Sequence, residues 1–89
     1  MIAPEYRTVA DVCDVVRQLR DRLLEHGEDQ SAKELEDTLT WFWTTSSEMI
    51  SEIIESLLQV RPTVERELDK DSLELLDAVV IGATRLWNG

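Results

Sequence analysis

The chain has 89 residues, of which 43% are hydrophobic and 31% are charged, and its formal net charge at pH 7 is −10. This length provides one domain with one modest core, and the balance of apolar and charged residues is typical of a folded helical chain rather than a disordered one. The negative charge makes nucleic acids and anionic membranes poor partners, because their phosphates would be repelled.

Cysteine usage and hydropathy bear on the compartment. The single cysteine cannot form an intramolecular disulfide, which favours a reducing environment. No segment approaches the roughly 18 apolar residues that cross a bilayer, and the first residues lack the basic start and apolar run of a secretory signal. We therefore expect residues 1–89 to form a single cytoplasmic helical domain that does not insert into membranes.

The acidic residues are concentrated in the middle of the chain. Residues 25–60 carry nine acids against Lys33 alone, whereas residues 1–24 carry four acids and four arginines. A surface built from the middle segment would attract a basic protein. The alternative is that the charge serves only to keep the chain soluble.

The first predicted helix has clear start and stop signals. Thr8 and Asp11 have the spacing of a capping box, in which each side chain binds the other residue's backbone amide. Gly27 can adopt the left-handed conformation that ends helices. Between them, apolar residues recur every three or four positions, as on one face of a helix, at Val9, Val12, Val16, Leu19 and Leu23. This pattern predicts a helix over about 8–26.

The next stretch has two interpretations. A capping box at 31–34 starts a second helix, and Thr45 and Glu48 have the spacing of a further capping box, which would begin a new one. Against a new helix, the apolar line stays in register across the hydroxyl-rich TTSS segment, through Leu39, Phe42, Ser46, Ile50, Ile53, Leu57 and Val60. We favour one helix over about 31–61 that kinks near 44–47, and the alternative is a break there.

The continuous helix has two consequences. Ser46 would face the core, where a small residue lets another helix approach closely. The helix would end before Pro62, which has no amide hydrogen to continue it.

Two further segments complete the predicted fold. Residues 63–70 are expected to form a short helical segment, and a start signal at Asp71 begins a last helix over about 72–87. The last helix is apolar over a wide arc, so it must be covered on most sides. Because so small a chain offers few neighbours, we expect a homodimer whose interface uses Ser46, Val79, Gly82 and Leu86. The sequence thus predicts an all-α fold, a small antiparallel bundle of three to four helices.

No catalytic or metal-binding pattern is visible in the sequence. His26, the single histidine, lies at a predicted helix end, and Cys13 lies beside the apolar line as a small buried residue. Phosphate-binding glycine motifs are absent. Glu48, Glu52 and Glu55 share one helical face, but no histidine completes a di-iron motif. We expect neither enzyme activity nor a metal or cofactor.

The strongest sign of a binding surface is the TWFW segment. In a continuous helix Trp41 lies opposite Leu39 and Trp43, with Glu34 and Asp37 as neighbours. A tryptophan among acids suits contact with a basic partner, because tryptophan is enriched at binding hot spots. The alternative is that Trp41 is covered, either by the N-terminal segment through Ile2, Pro4 and Tyr6 or by another helix.

Together these features predict an acidic helical module that binds another protein. The form we favour is an inhibitory or neutralising partner of a basic protein, in the manner of immunity proteins and antitoxins. The predicted partner-binding residues are Trp41, Glu34, Asp37, Glu48, Glu52 and Glu55. Two alternatives are a structural or scaffolding homo-oligomer, and an inhibitor that mimics nucleic acid with spaced carboxylates.

Overall fold

Four helices make up most of residues 6–41 and 43–88, the part of the chain that the computed structural model describes. They are α1 (Val9–Glu25), α2 (Asp29–Thr40), α3 (Ser46–Glu67) and α4 (Lys70–Asn88), and no strand occurs among the described residues. The predicted all-α bundle is therefore confirmed, with four helices. Ile2, Pro4 and Phe42, whose packing was predicted above, lie outside the described residues.

The helices pack in a closed ring. α1 packs against α2, α2 against α3, α3 against α4, and α4 back against α1. Every helix contributes buried apolar side chains to one core, and the largest of these are Leu19, Leu23, Leu35, Ile53, Leu57 and Leu76. The Cα atoms extend over 33 × 33 × 17 Å, so the body is thin enough for every helix to keep an exposed face.

A polar contact crosses each of the four seams between neighbouring helices. In ring order, these contacts are Arg20–Glu36, Thr38–Ser56 at 2.6 Å, Arg61–Asp77 at 2.9 Å and Arg22–Ser72 at 3.0 Å. The Arg61 guanidinium binds both carboxylate oxygens of Asp77, and this lowers the pKa of Asp77. Directional contacts of this kind fix how far each helix is displaced along its neighbour.

Both ends of α1 follow the prediction. The Thr8 hydroxyl accepts from the Asp11 amide at 3.3 Å, and the Asp11 carboxylate accepts from the Thr8 amide at 3.1 Å, which confirms the capping box. At the other end Gly27 has a φ of +76°. Its amide donates to the Leu24 carbonyl at 3.1 Å and the Glu28 amide donates to the Leu23 carbonyl at 2.9 Å, the paired bonds of a Schellman motif.

The second helix begins earlier than predicted. α2 starts at Asp29 rather than at 31, and Ser31 lies inside the helix instead of capping it. The Schellman turn at Gly27 leads the chain directly into the new helix, and the Glu28 carbonyl accepts from the Ala32 amide at 3.0 Å. The backbone therefore starts α2 without a side-chain cap.

The favoured single helix over 31–61 is wrong, and the alternative of a break is observed at 41–45. Trp41 ends α2 in an extended conformation, with φ −66° and ψ 147°. Thr45 is also extended, and its hydroxyl accepts from the Glu48 amide at 3.1 Å to start α3. The prediction was wrong because the apolar residues of α2 and α3 happen to keep helical spacing across the five-residue connection, although α2 ends before it and α3 begins after it. Ser46, expected to face the core, is instead exposed in the first turn of α3.

The predicted helix end before Pro62 and the separate segment over 63–70 are also wrong. α3 continues through Pro62 to Glu67. Pro62 is exposed and so is Leu58, the residue whose carbonyl loses its amide donor, so water can satisfy that carbonyl. Val60 and Val64 are buried on the opposite side of the helix, and their packing holds it together across the proline.

Much of the wide apolar arc of the last helix is covered within the chain itself, although Ile81 and Trp87 remain exposed. α4 begins at Lys70, two residues before the predicted start, and packs against both α1 and α3. Val79 is fully buried and Gly82 lies beneath the Tyr6 ring, so neither is available to a second copy. Leu86 is partly buried against the same core. The packing argument for a homodimer therefore fails at Val79 and Gly82, because their neighbours belong to the same chain.

The break at 41–45 depends on the hydroxyl of Thr45. We predict that Thr45→Ala lowers the free energy of unfolding by about 1 kcal/mol, because α3 loses the acceptor for its Glu48 amide. Thr44→Ala is the matched control, since the Thr44 hydroxyl contacts only the exposed Glu48 carboxylate, and it should change stability by less than about 0.5 kcal/mol. Denaturant unfolding measures both, and equal stability of the two variants would contradict the capping role.

The contact between Gly82 and Tyr6 gives a second prediction. A Cβ at position 82 would lie 2.9 Å from the Tyr6 Cβ and closer still to the ring. Although alanine is the better helix former, Gly82→Ala should lower the free energy of unfolding by about 1–2 kcal/mol, because the ring must move. In a Tyr6→Ala background the same change should stabilise α4 by about 0.5–1 kcal/mol. Denaturant unfolding of the four proteins tests this reversal of sign, and stabilisation in both backgrounds would exclude the contact.

Candidate functional site

Three tryptophans meet at one end of the bundle. Trp41 and Trp43 lie in the connection between α2 and α3, with ring centroids 6.2 Å apart and planes tilted by 54°. Trp87, near the C-terminal end of α4, lines the same cleft as Trp43. Trp41 is 66% exposed and Trp87 is 48% exposed. Such large apolar side chains at the surface are informative because most of their area could have been buried.

Trp43 is the fixed member of this group. Its indole Nε1 donates to the Thr38 carbonyl at 2.8 Å. That carbonyl belongs to the last turn of α2, where carbonyls have no partner inside the helix. The hydrogen bond therefore ends α2 and sets the orientation of the ring at the same time.

An open cleft, here called the tryptophan cleft, lies between these rings and the start of α3. It has a volume of about 370 Å³ and is lined by Trp43, Ser47, Glu48, Ser51, Glu52 and Trp87. Ser47 and Ser51 are one helical turn apart, as are Glu48 and Glu52. All four belong to α3, so this helix supplies the hydroxyl and carboxylate groups of the cleft. Indole faces and carboxylates are both electron-rich, and the cleft is therefore suited to a cationic group.

The carboxylates on the outer face of α3 differ in their partners. We call Glu48, Glu52 and Glu55 the acidic face; all three are exposed. Glu48 accepts a hydrogen bond from the Thr44 hydroxyl at 2.7 Å. Within residues 6–41 and 43–88, neither Glu52 nor Glu55 forms an ion pair with a base of the chain. The negative charge of this face is thus left uncompensated.

The predicted acidic residues of α2 are less open than those of α3. Asp37 is exposed, but its carboxylate lies 3.5 Å from Lys33 Nζ. Glu34 is partly buried. Trp41 ends α2, and its backbone amide donates to the Asp37 carbonyl at 3.0 Å. The carboxylates that matter most for the site, those without an ion-pair partner among the described residues, therefore lie on α3.

Tyr6, the described member of the segment proposed to cover Trp41, lies elsewhere. Its ring packs over Gly82 of α4. Its hydroxyl is buried without a hydrogen-bond partner, and burial raises the pKa of Tyr6. Tyr6 therefore does not cover Trp41, which remains largely exposed.

The sequence interpretation missed the roles of Trp43 and Trp87. A continuous helix over 31–61 places Trp43 on the core side with Leu39, and Trp87 belongs to the wide apolar arc of the last helix, which was expected to be covered by the bundle or by a second copy. The usable signal was the Thr45–Glu48 capping box, which separates α2 from α3. That separation places Trp43 in the connection before α3, and the turn between α3 and α4 brings Trp87 back beside the start of α3.

A second cleft runs along the seam between α1 and α2. Its polar lining contains both signs of charge, from Arg20, Asp21, Asp29, Lys33 and Glu36. Arg20 is already bound to Asp21 and Glu36, and these carboxylates raise the pKa of its guanidinium. Lys33 pairs with Asp37, so four of the five charged groups of this cleft have ion-pair partners within the fold.

The remaining reactive side chains are not assembled into a reactive centre. Cys13 is buried, and burial raises the pKa of its thiol. His26 is an exposed residue at the end of α1. In the described part of the chain, no group of three or more His, Cys, Asp or Glu side chains is arranged to hold a metal ion. None of the helices described is both long and apolar enough to cross a bilayer.

No protein-family model, curated protein or solved structure matched the chain. The tryptophans and the acidic face are therefore the features of this protein from which its function can be inferred.

Trp41 is exposed and Trp43 is partly buried, so replacing each by alanine should change the free energy of unfolding by different amounts. Trp41→Ala should change the free energy of unfolding by less than about 0.5 kcal/mol, because most of its surface already faces solvent. Trp43→Ala should lower it by about 1–3 kcal/mol, because it leaves the Thr38 carbonyl without its donor and removes packing at the turn. Thermal and denaturant unfolding measure both variants. A large loss in Trp41→Ala would mean that the ring is covered rather than available for contact.

Proposed function

We propose that this protein is an acidic helical interaction module that binds a basic protein and neutralises it by covering its positive surface. The observation that supports this best is that Glu52, a carboxylate without an ion-pair partner among the described residues, lines a cleft together with Trp87, which is 48% exposed. The charge provides attraction and the rings provide contact area.

The attraction comes from a charge that the fold leaves unneutralised. Glu48, Glu52 and Glu55 follow one another at spacings of four and three on the outer face of α3. A row of carboxylates of this kind raises the rate at which a basic partner meets the surface, and salt weakens the effect. The net charge of −10 extends the same attraction over the whole molecule.

The contact area comes from Trp41 and Trp87. Tryptophan is among the residues that dominate binding energies when they become buried in an interface. Both rings are about half exposed or more, so they still have surface to bury. Because Trp43 is fixed by its bond to Thr38, the end of the bundle presents a preformed surface, and little order must be gained on binding.

Neutralisation follows from covering the partner rather than from chemistry on it. A basic protein usually uses its positive surface to bind phosphates or other anions. A rigid acidic body seated there would block that use. The carboxylate spacing on α3 also supports the variant in which this face mimics nucleic acid, because residues one turn apart rise by about 6 Å along the helix.

A structural homo-oligomer is the second candidate, and one observation favours it. Leu58 of α3 is 52% exposed and Ile81 of α4 is 53% exposed, and neither is needed for the tryptophan site. Light scattering coupled to gel filtration distinguishes the two proposals. A strict monomer at micromolar concentration would exclude the homo-oligomer, and it would leave the binding of a basic partner untouched.

Capture from a lysate of the source cell tests the proposed function. The tagged chain should retain a basic protein at about 50 mM salt and release it as salt screens the charges. The double variant Glu52→Lys and Glu55→Lys should retain little of it, because it reverses two uncompensated charges. Mass spectrometry identifies the retained protein.

The control is a second double variant with the same change in net charge, Glu25→Lys and Glu67→Lys. These residues end α1 and α3, at the opposite end of the bundle from the tryptophans, where lysine is compatible with the helix dipole. It should still capture the partner. Failure to retain any basic protein at low salt would refute the proposal, and equal losses in both variants would mean that net charge alone, not this face, is responsible.

A further inference from the structure

We infer that the tryptophan cleft is a receptor for an arginine side chain of the basic partner. This inference rests on the proposed function and specifies which group of the partner the site recognises. It concerns only the cleft between Trp43, Trp87 and the start of α3. The rest of the acidic face would serve general attraction.

The walls of the cleft suit a flat cation. Trp43 and Trp87 both line it, and Trp87 remains 48% exposed. A guanidinium group is planar and weakly hydrated, so it stacks on an indole face, where the negative ring centre attracts its charge. The volume of about 370 Å³ lies within the range of ordinary ligand pockets and admits a long side chain.

The rim of the cleft provides acceptors for the same group. Glu48 and Glu52 lie one helical turn apart, and Ser47 and Ser51 add hydroxyl oxygens. Guanidinium has five N–H donors in a fixed plane, and it binds carboxylates through two parallel hydrogen bonds. Glu52 has no ion-pair partner among the described residues, so its carboxylate is available for such a pair.

Parts of this site are held in place before any ligand arrives. The Trp43 indole donates to the Thr38 carbonyl at 2.8 Å, and the Thr44 hydroxyl holds one oxygen of Glu48 at 2.7 Å. Fixed walls and a fixed carboxylate reduce the ordering cost of binding. Lysine gains less from these walls, because its ammonium is a compact and strongly hydrated charge that cannot stack.

The test uses a defined probe, acetyl-triarginine amide, with the lysine and the neutral citrulline tripeptides for comparison. Titration is followed by NMR of the indole N–H signals at about 50 mM salt, where screening is modest. We expect saturable shifts for Trp43 and Trp87 with triarginine, weaker binding of trilysine, and none of tricitrulline. Equal affinity for triarginine and trilysine would overturn the assignment to arginine.

Matched variants distinguish the cleft from simple attraction. Glu52→Gln and Trp87→Ala should each weaken triarginine binding by about three- to tenfold, because each removes one charged hydrogen bond or one stacking wall. Glu25→Gln, at the exposed end of α1, and Leu58→Ala, on an exposed position of α3, are the controls, since neither residue lines the cleft or belongs to the acidic face, and they should change the affinity less than twofold. Thermal unfolding of each variant confirms that it is folded.

The outcomes separate this inference from the proposed function. If Glu52→Gln and Glu25→Gln weaken triarginine binding equally, or if triarginine leaves the Trp43 and Trp87 signals unmoved, the cleft is not the receptor. Capture of a basic protein from lysate would then still support binding through the acidic face. If triarginine binds in the cleft as expected but no basic protein is captured from lysate, the proposed function is refuted, whereas the ability of the cleft to bind arginine is confirmed.

Discussion

The hydrogen bond from the Glu48 amide to the Thr45 hydroxyl is the contact on which the arrangement of this protein depends. It starts α3 after a five-residue connection, so that the chain reverses and four helices can close a ring. The same connection carries Trp41 and Trp43, and the packing of α4 back along α3 brings Trp87 beside Trp43. The capped start of α3 and the turn between α3 and α4 therefore form the site together.

The seams of the bundle explain why the acidic face keeps its charge. Arg20, Arg22 and Arg61 are engaged between helices, with Glu36, Ser72 and Asp77 respectively. Arginine suits these positions because its planar group makes several directed hydrogen bonds at once. Bases used in this way cannot also neutralise the outer surface of α3. The excess of acidic residues in the sequence is therefore found, in the structure, on the outer face of α3.

Local signals in the sequence predicted the ends of α1 well, whereas long-range packing overruled them elsewhere. The capping box of Thr8 and the turn at Gly27 depend only on nearby atoms, so they are readable from the sequence. The effect of Pro62 was wrongly predicted. The free-energy cost of a proline inside a helix depends on whether the carbonyl that loses its donor is exposed to solvent, and only the tertiary fold determines that exposure. The roles of Trp43 and Trp87 were missed for the same reason, since helix phase alone cannot reveal that two helix ends meet.

The site also separates two demands that a binding surface usually combines. The carboxylates extend along α3, where they act over a distance of about one Debye length, roughly 8–10 Å in physiological salt. The tryptophans occupy the end of the bundle, where only a partner already in contact can bury them. Charge of this kind governs mainly how often partners meet, and buried rings govern how long they stay. Because different residues carry the two tasks, either property can change by mutation without loss of the other, and the core beneath them need not change.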